Sequence, residues 1–332
     1  MINKTKYNGL VRWGIIGCGN VTEVKSGPAY RLVDGFKLVA VMRRTLALAK
    51  DYAERHHVEK YYDTADALIN DKEVDAVYIA TPPDSHHLYA LKVAEAGKIC
   101  CIEKPMAPSY KECLDIYNAF EELKLPLFIA YYRRSLPRFD KVKTLINTKS
   151  IGDIRYVHWN LSRTPSPIDL SDDYNWRTDA KIAPAGYFDD LASHGLDLFI
   201  HLLGDIKEAS GVSLNQQDLY TAKDAISGSW LHRSGVIGSA CWNFGAYKRE
   251  DNVRIVGSEG EIQFSVFGDD PIVLITKNNT NTFTIENPKH IQFYHVKSMK
   301  KHLDGVEKHP STGQSGLHTA WVMDKILVSC KT

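Results

Sequence analysis

A glutamate–lysine pair directly after an apolar segment is the first candidate for chemistry. The segment Ile99–Ile102 is followed by Glu103-Lys104-Pro105. Two charged side chains beside a buried strand are costly in free energy unless they face a polar crevice. We therefore expect a ligand-binding crevice at this point. A structural ion pair between Glu103 and Lys104 is the alternative.

An aspartate and a histidine at helical spacing form the second candidate. Asp190 and His194 are four residues apart, so on a helix they project from one face, and Asp197 and His201 could extend the row. A histidine exchanges protons near neutral pH, and a neighbouring aspartate can fix its tautomer or bind a substrate hydroxyl. A satisfied polar contact at a helix start is the structural alternative.

A glycine-rich turn follows the first apolar segment of the chain. The turn reads Gly17-Cys18-Gly19-Asn20-Val21-Thr22. Gly17 permits a tight turn, Gly19 lets the backbone approach a pyrophosphate, and the following helix supplies N–H donors. Thr22 stands at the third glycine position, so the fingerprint is incomplete, and a plain glycine turn is the alternative. The position after a first strand favours a dinucleotide site.

Two arginines stand where an acidic residue would indicate NAD. In NAD-binding folds an Asp or Glu at the end of the second strand accepts hydrogen bonds from the ribose 2′-OH. Here Arg43-Arg44 occupy that place, about 25 residues after Gly17. A guanidinium can bind a 2′-phosphate through parallel charge-assisted hydrogen bonds and can stack on adenine. The pair predicts NADP(H), and a solvated basic pair at a helix start is the alternative.

These residues need elements that bring them to one edge of a sheet. Short apolar runs alternate with amphipathic stretches through about the first 130 residues. The runs are Val11–Ile16, Lys37–Met42, Ala76–Ala80, Ile99–Ile102 and Leu127–Ala130, and the stretches are Asp51–His57, His86–Ala96 and Tyr110–Leu123. This alternation predicts an α/β Rossmann domain, a doubly wound parallel sheet with helices on both faces. Thr81-Pro82 then follows a strand at its carboxyl end, where ligands bind in such sheets.

The second half of the chain predicts an α+β domain with a large, mainly antiparallel, open sheet. Alternating segments recur from 151 to 267, among them Ile154–Leu161, Ser227–Leu231, Val236–Trp242 and Val253–Val256. Residues 257–260 are typical of a hairpin turn, and the tail from 316 to 328 predicts a helix. We place a Rossmann domain at 1–134, a substrate and oligomerisation domain at 135–312, and a helix packing back on the first domain at 313–332.

The order of the motifs resembles the glucose–fructose oxidoreductase and inositol dehydrogenase family (Gfo/Idh/MocA). The matching motifs are Gly17-Cys18-Gly19-Asn20, Thr81-Pro82-Pro83 with His86, Glu103-Lys104-Pro105, Trp176-Arg177, and Asp190 with His194. The resemblance spans nearly the whole chain. Ala192 stands where the family commonly has glycine, and we expect this change to alter the shape of the substrate pocket.

The resemblance implies an oxidoreductase that moves hydride between the nicotinamide and a hydroxyl or carbonyl carbon of a sugar, anhydrosugar or polyol. Lys104, His194 and Asp190 match the family's catalytic positions. The implied cofactor-binding residues are Gly17, Cys18, Gly19, Asn20, Val21, Arg43, Arg44, Thr81, Pro82, His86, Glu103 and Lys104. The implied substrate-binding residues are Tyr132, Arg133, Trp176, Arg177, Asp190 and His194. The family's second-domain sheet also implies a homodimer or homotetramer.

Two other functions stay open at this point. Some relatives retain the nicotinamide and use transient oxidation to break a glycosidic bond, with no net redox change. A nucleotide-sensing protein without catalysis is the other. The substrate itself is open among cyclic sugars, anhydro-ketoses, inositols and trans-dihydrodiols, and specificity is expected in the loops around residues 160–185.

Composition excludes several partners and chemistries. With 41 Lys plus Arg against 40 Asp plus Glu, the net charge of +1 gives no electrostatic basis for binding nucleic acid or an anionic membrane. No apolar run approaches the ~18–20 residues that span a bilayer. The six cysteines form no CxxC pair, so we expect reduced thiols and a cytoplasmic location. We predict no metal site and find no G-x-S-x-G hydrolase motif.

Overall fold

A computed structural model describes residues 9–328, which form two compact units. The first unit contains residues 9–135 together with 288–317, and the second contains 136–287 together with 318–328. Contacts thus group 288–317 with the first unit. The domain limits predicted at 134/135 and 312/313 stay predictions.

The first unit is built on a parallel sheet of six strands. Its strands are β1 (Val11–Ile16), β2 (Phe36–Met42), β3 (Lys60–Tyr62), β4 (Ala76–Ile79), β5 (Ile99–Ile102) and β6 (Leu127–Ile129). They lie in the order β3-β2-β1-β4-β5-β6, and every neighbouring pair is parallel. The order reverses between β1 and β4, which creates a crevice at their carboxyl ends. The predicted Rossmann architecture is confirmed.

Helices cover this sheet because its central strands are buried on both faces. The helices are α1 (Asn20–Val24), α2 (Ala29–Leu32), α3 (Leu46–His56), α4 (Ala65–Ile69), α5 (His86–Glu95) and α6 (Tyr110–Glu122). Every residue of β4 and β5 is buried, as continuous apolar runs require. Near β1, Trp13 packs against Tyr30 and Phe36 with ring centroids 4.8 and 5.3 Å apart. These contacts fix the strand that leads into the glycine turn.

The second unit contains an eight-stranded, mostly antiparallel sheet. Its strands are β7 (Ile154–Ser162), β8 (Ile206–Leu214), β9 (Ala225–His232), β10 (Ile237–Asn243), β11 (Glu250–Gly257), β12 (Gly260–Phe264), β13 (Ile272–Thr276) and β14 (Thr280–Phe283). The order is β14-β13-β12-β11-β7-β10-β9-β8, and only β7 and β10 pair in parallel among these strands. Helices α7 (Pro137–Asn147) and α8 (Ser193–Leu203) belong to this unit. The predicted fold class is confirmed here too.

The C-terminal part of the chain adds two helices. Helix α9 (Phe293–Leu303) belongs to the first unit, and α10 (Gly313–Leu327) begins in the first unit and continues in the second. At its start Gly313 and Gly316 lie against Leu127 and Ile129 of β6, so closely that an added Cβ would stand 2.6 Å from either side chain. The helix predicted over residues 316–328 is present, and in the structure it runs from Gly313 to Leu327.

Residues 9–328 lack two kinds of feature. No helix in that range combines the length and hydropathy needed to cross a bilayer. In the same range, no three His, Cys, Asp or Glu side chains come together as a possible metal site.

Candidate active site

The glycine turn joins three strands at the carboxyl edge of the first sheet. The backbone N–H groups of Gly17 and Cys18 donate to Met42 O at 2.9 and 3.2 Å, which ties β1 to the end of β2. Gly17 has φ +90°, and a Cβ there would stand 2.7 Å from Thr81 Cγ2 and 3.0 Å from Ala80 backbone. Only glycine meets both conditions, because the positive φ and the close approach to the chain after β4 both exclude a side chain.

Thr22 replaces the third glycine of the fingerprint without loss of packing. Its side chain is buried, and Oγ1 donates to Gly19 O at 2.8 Å. Its carbonyl accepts the Tyr52 hydroxyl at 2.8 Å, which connects α1 to α3. Gly27 makes the room, since a Cβ there would lie 2.2 Å from Thr22 O. Gly27 thus lets the chain after α1 pass close to Thr22 and Tyr52.

A cavity of about 390 Å³ opens at the carboxyl ends of β1, β2 and β4. Its lining residues are Gly17, Cys18, Gly19, Met42, Arg43, Arg44, Thr45, Leu48, Ala80, Thr81, Pro82, Asp84, Ser85 and Tyr89. Seven of the predicted cofactor residues are in this wall: Gly17, Cys18, Gly19, Arg43, Arg44, Thr81 and Pro82. Asn20 and Val21 form the first residues of α1 beside it. The cavity is large enough for part of a dinucleotide.

The arginine wall of the cavity is electrostatically positive. Arg43 and Arg44 are exposed, and neither guanidinium hydrogen bonds to another residue of the described chain. Helix α3 starts directly after them; its N-cap Thr45 makes no side-chain cap bond, and its first turn carries no acidic residue. Two guanidiniums, a free hydroxyl and a helix N-terminus thus share one end of the cavity, a combination that suits an anion.

His86 connects the turn after β4 to the turn after β5. The buried imidazole has Nε2 2.8 Å from Thr81 O and Nδ1 3.0 Å from Pro105 O. Burial lowers the pKa of His86, so the neutral ring donates to one of the two carbonyls. His86 does not line the cavity. The structure therefore places it behind the site, where it contacts both turns, and its predicted cofactor contact stays a prediction.

The side chains of Glu103 and Lys104 differ in burial: that of Glu103 points into the interior, and that of Lys104 is half-buried. Glu103 is buried and accepts hydrogen bonds from Tyr78 Oη at 2.5 Å and Gln292 Nε2 at 2.6 Å. Lys104 is half-buried and precedes a cis peptide bond to Pro105. The cost of burying the carboxylate is thus offset by neutral donors from β4 and from the segment before α9.

A short 3₁₀ turn (Tyr132–Ser135) follows β6 and carries the predicted substrate contacts Tyr132 and Arg133. The buried Arg133 guanidinium lies over the Tyr132 ring, 4.8 Å from its centroid. Arg134 is also buried and donates to Pro310 O at 3.0 Å. Arg134 thereby holds the returning C-terminal segment.

In the second unit, Asp190 lies in a π-helical turn and His194 lies in the first turn of the α-helix that follows it. Residues Phe188–Ala192 form a π-helix that continues into α8, and such turns concentrate at functional sites. Asp190 Oδ2 accepts Arg177 Nε at 2.7 Å, and Arg177 lies over the Trp176 ring at 4.3 Å. The structure thus brings Trp176, Arg177 and Asp190 together. His194 is buried in the first turn of α8.

Two sequence-family models and a known oxidoreductase are similar to this chain over most of its length. Residues 11–131 match the sequence model of an oxidoreductase family with an NAD-binding Rossmann fold, and residues 139–263 match that of the GFO/IDH/MocA C-terminal domain. Oxidoreductase P35 of Formosa agariphila is 37% identical over 284 residues, which cover 85% of this chain and 87% of the relative. The chain belongs to the Gfo/Idh/MocA family. It is an enzyme of the NAD(P)-dependent oxidoreductase type.

Two further similarities are more distant. A trans-1,2-dihydrobenzene-1,2-diol dehydrogenase of Sus scrofa is 23% identical over 291 residues, 87% of this chain and 84% of that protein. The solved structure of a levoglucosan dehydrogenase in complex with NADH and levoglucosan superposes with a TM-score of 0.81 at 22% identity, covering 95% of this chain and 96% of that one. At that identity the structural match supports the fold of this Gfo/Idh/MocA protein.

Two buried acids near His194 in this Gfo/Idh/MocA enzyme have structural partners. Asp189 accepts the Ala185 N–H at 2.9 Å, and burial raises the pKa of Asp189 to about 7. Asp197, proposed to extend the catalytic row, is fully buried and accepts the Thr319 hydroxyl at 3.0 Å. Asp197 therefore anchors α8, and Asp189 anchors the turn that precedes the π-helix.

The loop between β7 and the π-helix, whose conformation the sequence left open, is ordered around one carboxylate. Asp169 accepts the Tyr187 hydroxyl at 2.5 Å, the Ser166 hydroxyl at 2.7 Å and an Arg163 N–H at 3.2 Å. Asn175 donates to both Asp169 and Tyr187, and its Oδ1 accepts the Arg177 N–H at 3.2 Å. This network fixes the 3₁₀ turn Trp176–Thr178 that presents Arg177 to Asp190.

Phe267 is a site residue that the sequence analysis missed. Its ring stands edge-on to the His194 imidazole, with centroids 5.7 Å apart. The Phe267 N–H donates to Asp251 Oδ2 at 2.6 Å, and the other carboxylate oxygen accepts Trp159 Nε1 at 3.0 Å. No local pattern predicts this contact, because it joins helix α8 to the segment after β12, which is distant in sequence.

The two glycines of the turn give a matched pair of predictions. Gly17→Ala is expected to lower the free energy of unfolding by about 2–5 kcal/mol, since it combines a positive φ with overpacking. Gly19→Ala is expected to leave stability within about 0.5 kcal/mol. Gly19 has φ −121°, and its Cβ would meet only Gly17 O, at 3.9 Å, beside the cavity. The Gly19→Ala variant should instead bind the cofactor roughly 10- to 100-fold more weakly.

Urea unfolding and cofactor titration of both variants test this contrast. Equal loss of stability in the two would contradict the geometry of the turn. Unchanged cofactor affinity in Gly19→Ala would contradict the prediction that a pyrophosphate binds at this turn.

Proposed function

We propose that this enzyme transfers hydride between NADP(H) and the hydroxyl or carbonyl carbon of a sugar, anhydrosugar or polyol. The observation that carries the proposal is the cavity at the edge of the first sheet, where the glycine turn and the arginine pair share one wall. Bound NADP(H) supplies the hydride donor or acceptor. The backbone N–H groups of Asn20 and Val21 would hold its pyrophosphate. Gly17 and Gly19, whose own N–H groups donate to Met42 O and Gly17 O, would let it approach the turn.

The preference for NADP(H) over NAD(H) rests on the end of β2. Arg43, Arg44 and the Thr45 hydroxyl supply donors for a 2′-phosphate, and no carboxylate stands there to bind a 2′-OH. The cavity does contain one carboxylate, Asp84, but it follows β4 rather than β2. The charges at the ribose position thus favour the phosphorylated cofactor.

In the proposed reaction, Lys104 and His194 move the substrate hydroxyl proton while hydride leaves or reaches the carbon. A lysine amine and an imidazole are both suited to proton transfer near neutral pH when suitably placed. Asp190, oriented by Arg177, would bind a substrate hydroxyl or fix the His194 tautomer. Arg177 and Trp176 would contact the substrate, as would Tyr132 and Arg133. Which of Lys104 and His194 is the principal acid or base is decided by the variants below.

The substrate class is supported by the relatives' names and by the charged groups of the site. One relative is a dehydrogenase of a trans-dihydrodiol, and one structural neighbour is a levoglucosan dehydrogenase with its anhydrosugar bound. Both substrates are cyclic and carry secondary hydroxyls. Charge-assisted hydrogen bonds from groups such as Arg177 and Asp190 suit vicinal hydroxyls of this kind.

A panel assay tests the function directly. Cyclic sugars, anhydrosugars, inositols and trans-diols are supplied with each of NADP⁺ and NAD⁺, and their keto forms with NADPH and NADH, while nicotinamide absorbance is followed. We expect turnover with one of these classes and faster turnover with the phosphorylated cofactor. Glycoside cleavage without an absorbance change, from a protein that retains its cofactor, would support the glycosidase alternative instead. Cofactor binding without turnover of any class would support a sensing protein.

The open face of the second sheet supports a homodimer or homotetramer. Cross-strand register places Leu231, Ile237 and Tyr156 side by side in one row, and Val212 lies on the same face. Ile237, Tyr156 and Val212 are exposed in the single chain. Exposed apolar rows on a sheet face favour association. Sedimentation equilibrium should give the mass of two or four chains, and Ile237→Lys should lower it; a monomeric mass for the natural protein would contradict the proposal.

A further inference from the structure

We propose that Gln292 and Tyr78 are positioning residues that hold the Lys104 turn in place through the carboxylate of Glu103. The proposal rests on the proposed function, in which Lys104 takes part in proton transfer. Neither Gln292 nor Tyr78 lines the cofactor cavity. Their action on Lys104 is therefore indirect and passes through Glu103.

The carboxylate of Glu103 bridges the interior of the first unit and the backbone of Lys104. Oε1 accepts the Tyr78 hydroxyl at 2.5 Å and Gln292 Nε2 at 2.6 Å. Oε2 accepts the backbone N–H of Lys104 at 3.2 Å. Glu103 is 8% exposed, Gln292 2% and Tyr78 0%, so water does not replace these donors easily. The orientation of the carboxylate is set by its two interior partners.

Three separate elements converge on this carboxylate. Glu103 follows β5, and its backbone N–H donates to Ile79 O at 2.9 Å. Tyr78 lies in β4, directly beside Cys101 of β5 in the register. Gln292 is the N-cap of α9, and its own N–H donates to Lys25 O at 3.2 Å. The backbone hydrogen bonds of Tyr78 and Gln292 thus fix the positions from which their side chains donate to Glu103.

Helix α9 is itself anchored to the sheet. His295 Nε2 lies 3.8 Å from Cys101 Sγ, and His309 packs edge-on against His295 with centroids 4.7 Å apart. Burial lowers the pKa of His295 to about 3, so it contributes a neutral ring to the core. The helix that carries Gln292 is therefore held by buried contacts.

The turn that contains Lys104 is held at both ends. At its start, the Lys104 N–H donates to Glu103, and one residue later Pro105 O lies 3.0 Å from His86 Nδ1. Burial and the neighbouring Glu103 hold the pKa of Tyr78 well above its usual value, so Tyr78 stays a donor. Loss of an interior donor would leave the carboxylate partly unsatisfied, and it would then turn and shift the Lys104 backbone. A displacement of about 1 Å at a catalytic group can lower a rate ~10²-fold.

The test uses Gln292→Met and Tyr78→Phe, with Tyr30→Phe as the matched control. Tyr30 is equally buried and stacks on Tyr78 at 5.0 Å, but within the described chain it makes no hydrogen bond to Glu103. We expect kcat to fall roughly 10- to 100-fold in the first two variants. The KM for NADP(H) should stay within about 3-fold, and Tyr30→Phe should retain its kcat within the same factor.

A pH profile separates positioning from a loss of stability. Gln292→Glu places a second carboxyl group against Glu103, and the repulsion between two carboxylates in contact raises the pKa of one of them. Below that raised pKa one carboxyl group is protonated and donates to the other, and above it both are ionised and repel. The rate of this variant relative to the natural enzyme should therefore fall towards alkaline pH and recover towards acid pH. A variant that merely unfolds would lose amplitude without such recovery. A pH profile unchanged from the natural enzyme would overturn the proposal.

A double-mutant cycle with Lys104→Met distinguishes the two hypotheses. If Lys104→Met turns over normally, the proposed role of Lys104 fails. If Lys104→Met is slow while Gln292→Met is normal, the positioning role alone fails. If Gln292→Met slows the enzyme by the same factor with and without Lys104, Gln292 acts by another route, and the positioning proposal is overturned. We expect its effect to vanish in the Lys104→Met background.

Discussion

Lys104→Met is expected to lower kcat by about 10²- to 10⁴-fold, the usual contribution of a group that transfers a proton in the transition state. Methionine keeps most of the volume of the lysine stem and removes the amine. Lys104 does not line the cavity beside the glycine turn, so the dissociation constant of NADP(H) should change far less than kcat. Steady-state kinetics and cofactor titration on the same preparation measure both quantities.

His194→Ala tests the second proton-transferring group of the same proposal. We expect a loss in the same range, about 10²- to 10⁴-fold. The pH–rate profiles of the two variants decide the principal acid or base, because the residue whose removal abolishes an ionisation in the profile is the one that titrates. Lys92→Met is a suitable control for Lys104→Met, since Lys92 is a surface residue of the first unit and pairs with Asp66. Near-normal turnover in both variants would end the catalytic assignment.

The double variant Arg43→Ala, Arg44→Ala is expected to reverse the cofactor preference. Each guanidinium offers charge-assisted hydrogen bonds worth about 1.5–3 kcal/mol. Together they correspond to a loss of roughly 10²- to 10⁴-fold in kcat/KM for NADP(H). NAD(H) lacks the 2′-phosphate, so its kcat/KM should change less than about 3-fold.

The control for this variant is Arg31→Ala, because Arg31 is exposed in α2 and does not line the cavity. It should leave both cofactors unaffected. A high-salt series adds a second check, since contacts between exposed guanidiniums and a phosphate weaken with ionic strength. If kcat/KM of the arginine double variant falls by the same factor for NAD(H) and for NADP(H), the two side chains do not bind the 2′-phosphate.

Local sequence patterns were sufficient for the elements with strong periodicity. β1 and β5 have the predicted bounds. Weak or short elements were missed, among them β3, which has three residues, and α4, which has five. Such pieces are stabilised by their neighbours rather than by their own pattern. They carry little signal in one sequence.

Candidate site residues were found where a motif is contiguous and missed where a contact is non-local. The glycine turn and the arginine pair are each readable from adjacent residues, and the structure places both in one cavity wall. Gln292 is 189 residues from Glu103, and Phe267 follows β12 whereas His194 lies in α8, so their contact is also non-local. No periodicity predicts such pairs. The structure also turns Glu103 inward, a direction that its sequence neighbours do not reveal.

The central claim is hydride transfer between NADP(H) and a substrate carbon, and isotope transfer tests it most directly. NADPH deuterated at the reactive nicotinamide carbon, on either face, is incubated with the keto compounds of the panel, and the product is analysed by mass spectrometry. We expect one of the two labelled faces to deliver deuterium to the former carbonyl carbon, and Lys104→Met to deliver it far more slowly. Product formed without label from either face would contradict the account.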